Sequence, residues 1–78
     1  MVYEIQIAIC VDVLTEYLQR CSHREEKVNL LKQEKEGWVE YQLTSWAAQE
    51  IKTKYCFDVW ELGFYFGIDI YEQLLKRI

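Results

Sequence analysis

Residues 2–21 read VYEIQIAICVDVLTEYLQRC, and whether they form helix or strand decides the fold class. Tyr3, Ile5, Ile7, Ile9, Val11 and Val13 alternate with mostly smaller or polar residues, the period of a half-buried strand. The polar residues also obey a helical period. Glu4, Asp12, Thr15, Glu16, Gln19 and His23 fall on one stripe, with Ile5, Ile9, Val13, Tyr17 and Cys21 opposite, and only Gln6 is out of place. The join settles the choice. Residues 13–21 carry helical spacing, so a strand ending at Val11 needs a turn before them, and Asp12 is the only turn-forming residue there. One helix over 2–21 explains the stretch with fewer parts.

The same logic extends along the chain. Ser22-x-x-Glu25 is a capping box that starts a second helix. HREEKVNLLKQEKE, residues 23–36, has Val28, Leu30 and Leu31 as its only apolar residues, so it reads as a solvated helix with a narrow buried edge, ended by Gly37 at C′. WVEYQLTSWAAQEIKTKYC repeats the first dilemma, because Val39, Tyr41 and Leu43 alternate. The i+4 stripe Val39, Leu43, Ala47, Ile51, Tyr55, flanked by Trp46, favours a helix over 38–55, supported by a Glu50–Lys54 pair one turn apart. In the closing stretch, Asp58-x-x-Glu61 is a capping box with Phe57 placed to staple onto Leu62. Gly67 then reads as a stop, and Asp69-x-x-Glu72 as the cap of a last short helix that ends in Lys76 and Arg77, cations suited to a helix C-terminus.

These readings give an all-α bundle of about four helices in one domain, 1–78. The helices lie near 2–21, 23–36 and 38–55, followed by a split pair, 58–66 and 70–78, joined by a tight Gly-containing turn at Gly67-Ile68-Asp69. The alternative is α+β, with strands near 3–11 and 38–43. The chain is short and aromatic-rich: 78 residues, 51% hydrophobic, with three Trp, six Tyr and three Phe. A domain of this size buries only roughly 60% of the surface its unfolded chain exposes. Apolar surface is therefore left over, and such surface marks contacts with other molecules. This predicts a protein partner, a second copy of the chain, or both.

Composition also narrows the function classes. A net charge of −4 opposes nucleic acid and anionic membranes, which attract clustered Lys and Arg. The first twenty residues have no base before Arg20, so no secretory n-region is expected, and the run Leu62–Ile68 is far too short to span a bilayer. Three irregularly spaced cysteines, Cys10, Cys21 and Cys56, suit reduced thiols in the cytoplasm. With His23 they match a Cys₃His set in number but not in spacing, since only Cys21 and His23 are close. No metal or cofactor is expected. Nothing marks an oxyanion site beside a Cys–His pair, and there is no Gly-rich phosphate loop, so no enzyme is expected either.

Two readings remain. The runner-up is an atypical helix-turn-helix DNA-binding regulator, with Gly63, Gly67 and Ile68 at the turn. Its reading helix would present Asp69, Ile70, Tyr71, Glu72 and Gln73 to the groove, and residues 58–78 hold four acids against two bases, so phosphates would repel it. The leading reading is a small protein–protein interaction module, an adaptor, inhibitor or regulatory subunit. Val59, Leu62 and Phe66 cluster on one side of the helix near 59–66, while Trp60 and Phe64 lie beside them. A helix apolar over more than half its girth is buried from two directions. Trp60, Phe64, Tyr65 and Tyr71 are the expected partner-binding residues, in keeping with the enrichment of Trp and Tyr at interface hot spots.

Overall fold

The computed structural model describes residues 2–21, 23–36 and 42–78. They form four helices: α1 (Val2–Leu18), α2 (Arg24–Glu36), α3 (Gln42–Tyr55) and α4 (Val59–Arg77). No strand occurs among them, and the all-α bundle is the fold. Residues 3–11, the first alternative strand, are helical throughout. For the second, Gln42 and Leu43 open α3, while 38–41 lie outside the described residues.

α1 and α4 share the broadest contact. α3 packs on both, and α2 leans on α4. The core is one cluster: Cys10, Val11, Val13, Leu14 and Leu18 of α1, Leu31 of α2, Ala47 and Ile51 of α3, and Val59, Leu62, Ile70, Tyr71 and Leu74 of α4. Leu14, Ile51, Ile70 and Leu74 are among the fully buried side chains. Burial of each is worth about 1.5–3 kcal/mol. The radius of gyration, 11.4 Å, is that of a chain closed over its own core, roughly 11.5 Å at this length.

α1 keeps its polar stripe in solvent, with Glu4, Asp12, Glu16 and Gln19 exposed, but its buried face is rotated away from the Ile5–Ile9 end of the expected apolar stripe. The inward residues centre on Cys10, Val11, Leu14 and Leu18; Val13 is buried too, Ile9 is half-buried and Ile5 is exposed. Away from the polar stripe α1 is apolar over a broad arc, so which part of that arc is buried is set by where α3 and α4 press on it. Its end is also earlier than residue 21. Arg20 and Cys21 donate to the carbonyls of Tyr17 and Leu18, three residues back, so the last turn tightens out of the α ladder.

Ser22, expected to cap α2, lies outside the described residues, as does Gly37. The backbone ladder of α2 opens with Lys27 N–H donating to the His23 carbonyl. α2 is mostly solvated, but its buried edge holds Glu34 as well as Leu31. Along α3, Ala47 and Ile51 are buried and Tyr55 is exposed. Val39 and the side chain of Leu43 lie outside what is described. α3 ends as Cys56 donates its N–H to Ile51, five residues back, and turns left-handed at φ 61°.

In α4 the expected split pair is present as a kink rather than as an open turn at Gly67–Asp69. Asp58 does cap the start of α4, with Oδ1 accepting from Trp60 N–H at 2.9 Å. The half-buried Phe57 before it packs on the core, as a staple does. The helix then runs to Arg77, broken only by a kink at Phe66, whose φ −125° and ψ 16° leave the helical range. Gly67 has no positive φ and does not stop the helix; Asp69 is interior to α4 rather than a cap. The outer end of α4 is tied back to α1 by an ion pair from Arg77 to Asp12.

Candidate functional site

The kink at Phe66, with helix resuming at Gly67, determines what α4 shows to solvent. Before and after the kink its inward residues are Val59, Leu62, Ile70, Tyr71 and Leu74, with Phe66 half-buried between them. Residues three and four apart share a face, so Phe64, Tyr65 and Ile68 project together on the outer side. They are 82%, 68% and 64% exposed, large apolar groups left in water side by side. Phe64 meets Tyr65 edge-on, with ring centroids 5.2 Å apart and planes at 88°. Tyr3, at the start of α1, joins the patch by packing on Phe66 at 5.3 Å and remains 56% exposed.

Two hollows flank this ridge, and Tyr65 lines both. One, about 420 Å³, lies between the start of α1 and the first half of α4, walled by Tyr3, Phe57 and Tyr65 over Leu62, with Asp58 and Glu61 at its rim. The other, about 560 Å³, follows the kink from Gly63 to Asp69 and reaches Lys35 of α2.

The four expected partner-binding residues thus separate. Phe64 and Tyr65 sit together on the exposed ridge. Trp60 is half-buried and faces a third hollow, at the α3–α4 junction, lined also by Ala48, Lys52 and Cys56. Tyr71 is a core residue, 4% exposed, and meets the patch only where it lines the second hollow. A turn at Gly67–Asp69 would have reset the helical phase. With residues 67–77 helical beyond the kink, Tyr71 comes one turn before Leu74 on the inward side. Sequence reasoning missed Ile68 and Tyr3. Ile68 was readable as the i+4 neighbour of Phe64 once the helix is carried through the kink. No local signal places Tyr3 beside Phe66, because that contact joins the two ends of the sequence.

A second aromatic group, on the α1–α3 side, is polar and tied together. Tyr17 packs on Trp46 with centroids 5.8 Å apart, and the Arg20 guanidinium lies 4.9 Å above the Tyr17 ring. Tyr17 donates its hydroxyl proton to Glu50 Oε2 at 3.0 Å, and Lys54 Nζ donates to Glu50 Oε1 at 2.8 Å. The bond from Lys54, then that from Tyr17, holds the Glu50 carboxyl below the usual range, while desolvation and then Glu50 raise the Tyr17 phenol. These contacts fasten α1 to α3.

The cysteines are dispersed in depth: Cys10 buried, Cys21 half-buried, Cys56 exposed, all free thiols. Burial pushes the Cys10 thiol up to about 12, away from the nucleophilic thiolate. The hollow beside His23 is lined by Glu25, Glu26, Asn29, Leu30 and Gln33, with no cysteine among them. Among the described residues no three of His, Cys, Asp and Glu gather as metal ligands, and no helix is long and apolar enough to cross a membrane. No protein-family model matches the chain, and neither does any curated protein or solved structure.

Proposed function

We propose that this chain is a small protein-binding module, an adaptor, inhibitor or regulatory subunit, that works by laying the outer face of α4 against a partner and so occluding or bridging it. One observation carries the reading. Phe64, Tyr65 and Ile68 stand more than half exposed on one helix face, although the core beneath them is already closed by Leu62, Ile70 and Leu74. Large apolar groups clustered in water characterise binding surfaces, and aromatic rings supply contact area at a low entropic cost. The reading is one of binding and not of catalysis. The three free thiols support a reducing, cytoplasmic setting. The DNA-binding alternative gains no support, since the turn it required is replaced by helix and the same face carries Glu61, Asp69 and Glu72.

The test is a double variant, Phe64→Ala with Tyr65→Ala. It should melt close to the parent and lose whatever protein the parent retains from its host's extract. A variant that keeps the same partner with the same affinity would remove the function from this face.

A further inference from the structure

Resting on that binding reading, the charge around the ridge selects the kind of partner. The hollow between α1 and α4 has three aromatic walls, Tyr3, Phe57 and Tyr65, and a buried apolar floor at Leu62. Among the described residues the charged groups lining it are the carboxylates of Asp58 and Glu61. Asp58 keeps one oxygen on the Trp60 N–H, whereas Glu61 is exposed. Beyond Tyr65 the face continues through Phe64 and Ile68 to Asp69 and Glu72, both exposed, with Lys35 the one base among the described residues that line the second hollow.

We infer that the occupant of this groove is a cationic amphipathic peptide segment of another protein, with arginine flanking an apolar anchor. Arginine fits both halves of the site. Its planar guanidinium stacks on a tyrosine face and forks onto a carboxylate such as that of Glu61. The apolar anchor beside it covers Tyr65 and reaches toward Leu62, as an amphipathic helix does in a groove. A second copy of this chain fits poorly. An isologous contact centred on Phe64–Ile68 sets Glu61 of one copy against Glu72 of the other if the helices run antiparallel, and acid against its own equivalent if they run parallel. Like charges brought together on desolvation oppose association, and an anionic lipid surface meets the same repulsion.

The inference is tested by titrating the full chain with short fluorescent peptides: one with a Leu face flanked by Arg, one with the same pattern in Glu, and one with the same Arg count but Gly in place of Leu. The Leu/Arg peptide should bind and weaken with added salt, and the other two should bind far more weakly. Glu61→Gln should reduce affinity for the Leu/Arg peptide roughly tenfold, the size of a lost hydrogen bond to a charged group, and leave the melting temperature nearly unchanged. Tyr65→Ala should reduce it at least as much. Equal binding of the Glu peptide, equal binding of the Gly peptide, or indifference to both substitutions overturns the inference. A concentration-dependent dimer that Tyr65→Ala abolishes, with no peptide binding, assigns the groove to a second copy: the occupant is then wrong while the binding face stands. If neither peptide, dimer nor retained protein depends on Tyr65, the binding reading falls with it.

Discussion

Truncating Phe64 to Ala separates a binding ring from a core ring by magnitude. A core Phe→Ala change removes about 3–5 kcal/mol. Unfolding entropy near 2.1 cal/mol/K per residue gives a 78-residue domain about 0.16 kcal/mol/K, so a core loss lowers the melting temperature by about 18–30 °C. Phe64 is 82% exposed, so only about a fifth of its surface is at stake, and the scaled loss is under about 1 kcal/mol. Losing the edge contact with Tyr65 adds roughly 0.5 kcal/mol at such an exposed site. Against this, Ala is the better helix former, by about half a kcal/mol inside α4. The expected net change is within about 1 kcal/mol, or roughly 6 °C. Leu74→Ala on the same helix, where the side chain is fully buried, is the companion and should cost about 2–5 kcal/mol. Thermal melts followed by circular dichroism read both, and a sizing run confirms that the Phe64 variant stays folded. A fall of 18 °C or more for Phe64→Ala would refute the placement of this ring and the binding face built on it.

Gly67→Ala should raise stability by about 0.5–1 kcal/mol in a denaturant titration, because the position is helical and a Cβ there meets nothing within 4 Å; a loss would mean that the kink at Phe66 depends on the glycine. Cys56 holds a left-handed φ of 61°, a conformation that costs a non-glycine residue roughly 1–2 kcal/mol. Cys56→Gly should therefore be neutral to about 1 kcal/mol stabilising after the entropy of the unfolded glycine is counted, and Cys56→Val should be clearly destabilising; the reverse order in paired melts would contradict that backbone geometry. Glu50 is held below the usual carboxylate range by Lys54 and Tyr17, so its contribution is present above that range and is lost as pH falls through the lowered value. Glu50→Gln should melt a few degrees lower than the parent at neutral pH, with the gap closing in acid well below about pH 4; a gap independent of pH would detach Glu50 from this network.

The sequence alone determined the helical class. No proline and few turn residues interrupt the chain, and Val11 runs into residues 13–21 without a turn, so helix was the economical reading of its alternating stretches. The cap at Asp58 was legible too, because capping is a local exchange between one side chain and the N–H two residues on. An outward aromatic group on the last helix was foreseeable from residues 60–66, which carry more apolar bulk than one inward stripe can hold. Tertiary structure decided the rest. The polar stripe of α1 marked its solvent side, but which part of the broad apolar arc opposite is buried follows from where α3 and α4 lie. Whether Gly67 stops a helix or rides within one depends on whether Ile70 and Leu74 gain more by staying in register with Val59 and Leu62 against α1. That packing keeps residues 67–77 helical beyond the kink at Phe66, turns Tyr71 inward and leaves Ile68 exposed beside Phe64 and Tyr65. The neighbour that completes the patch, Tyr3, reaches Phe66 across more than sixty residues of sequence, a contact that only the closing of α1 on α4 creates.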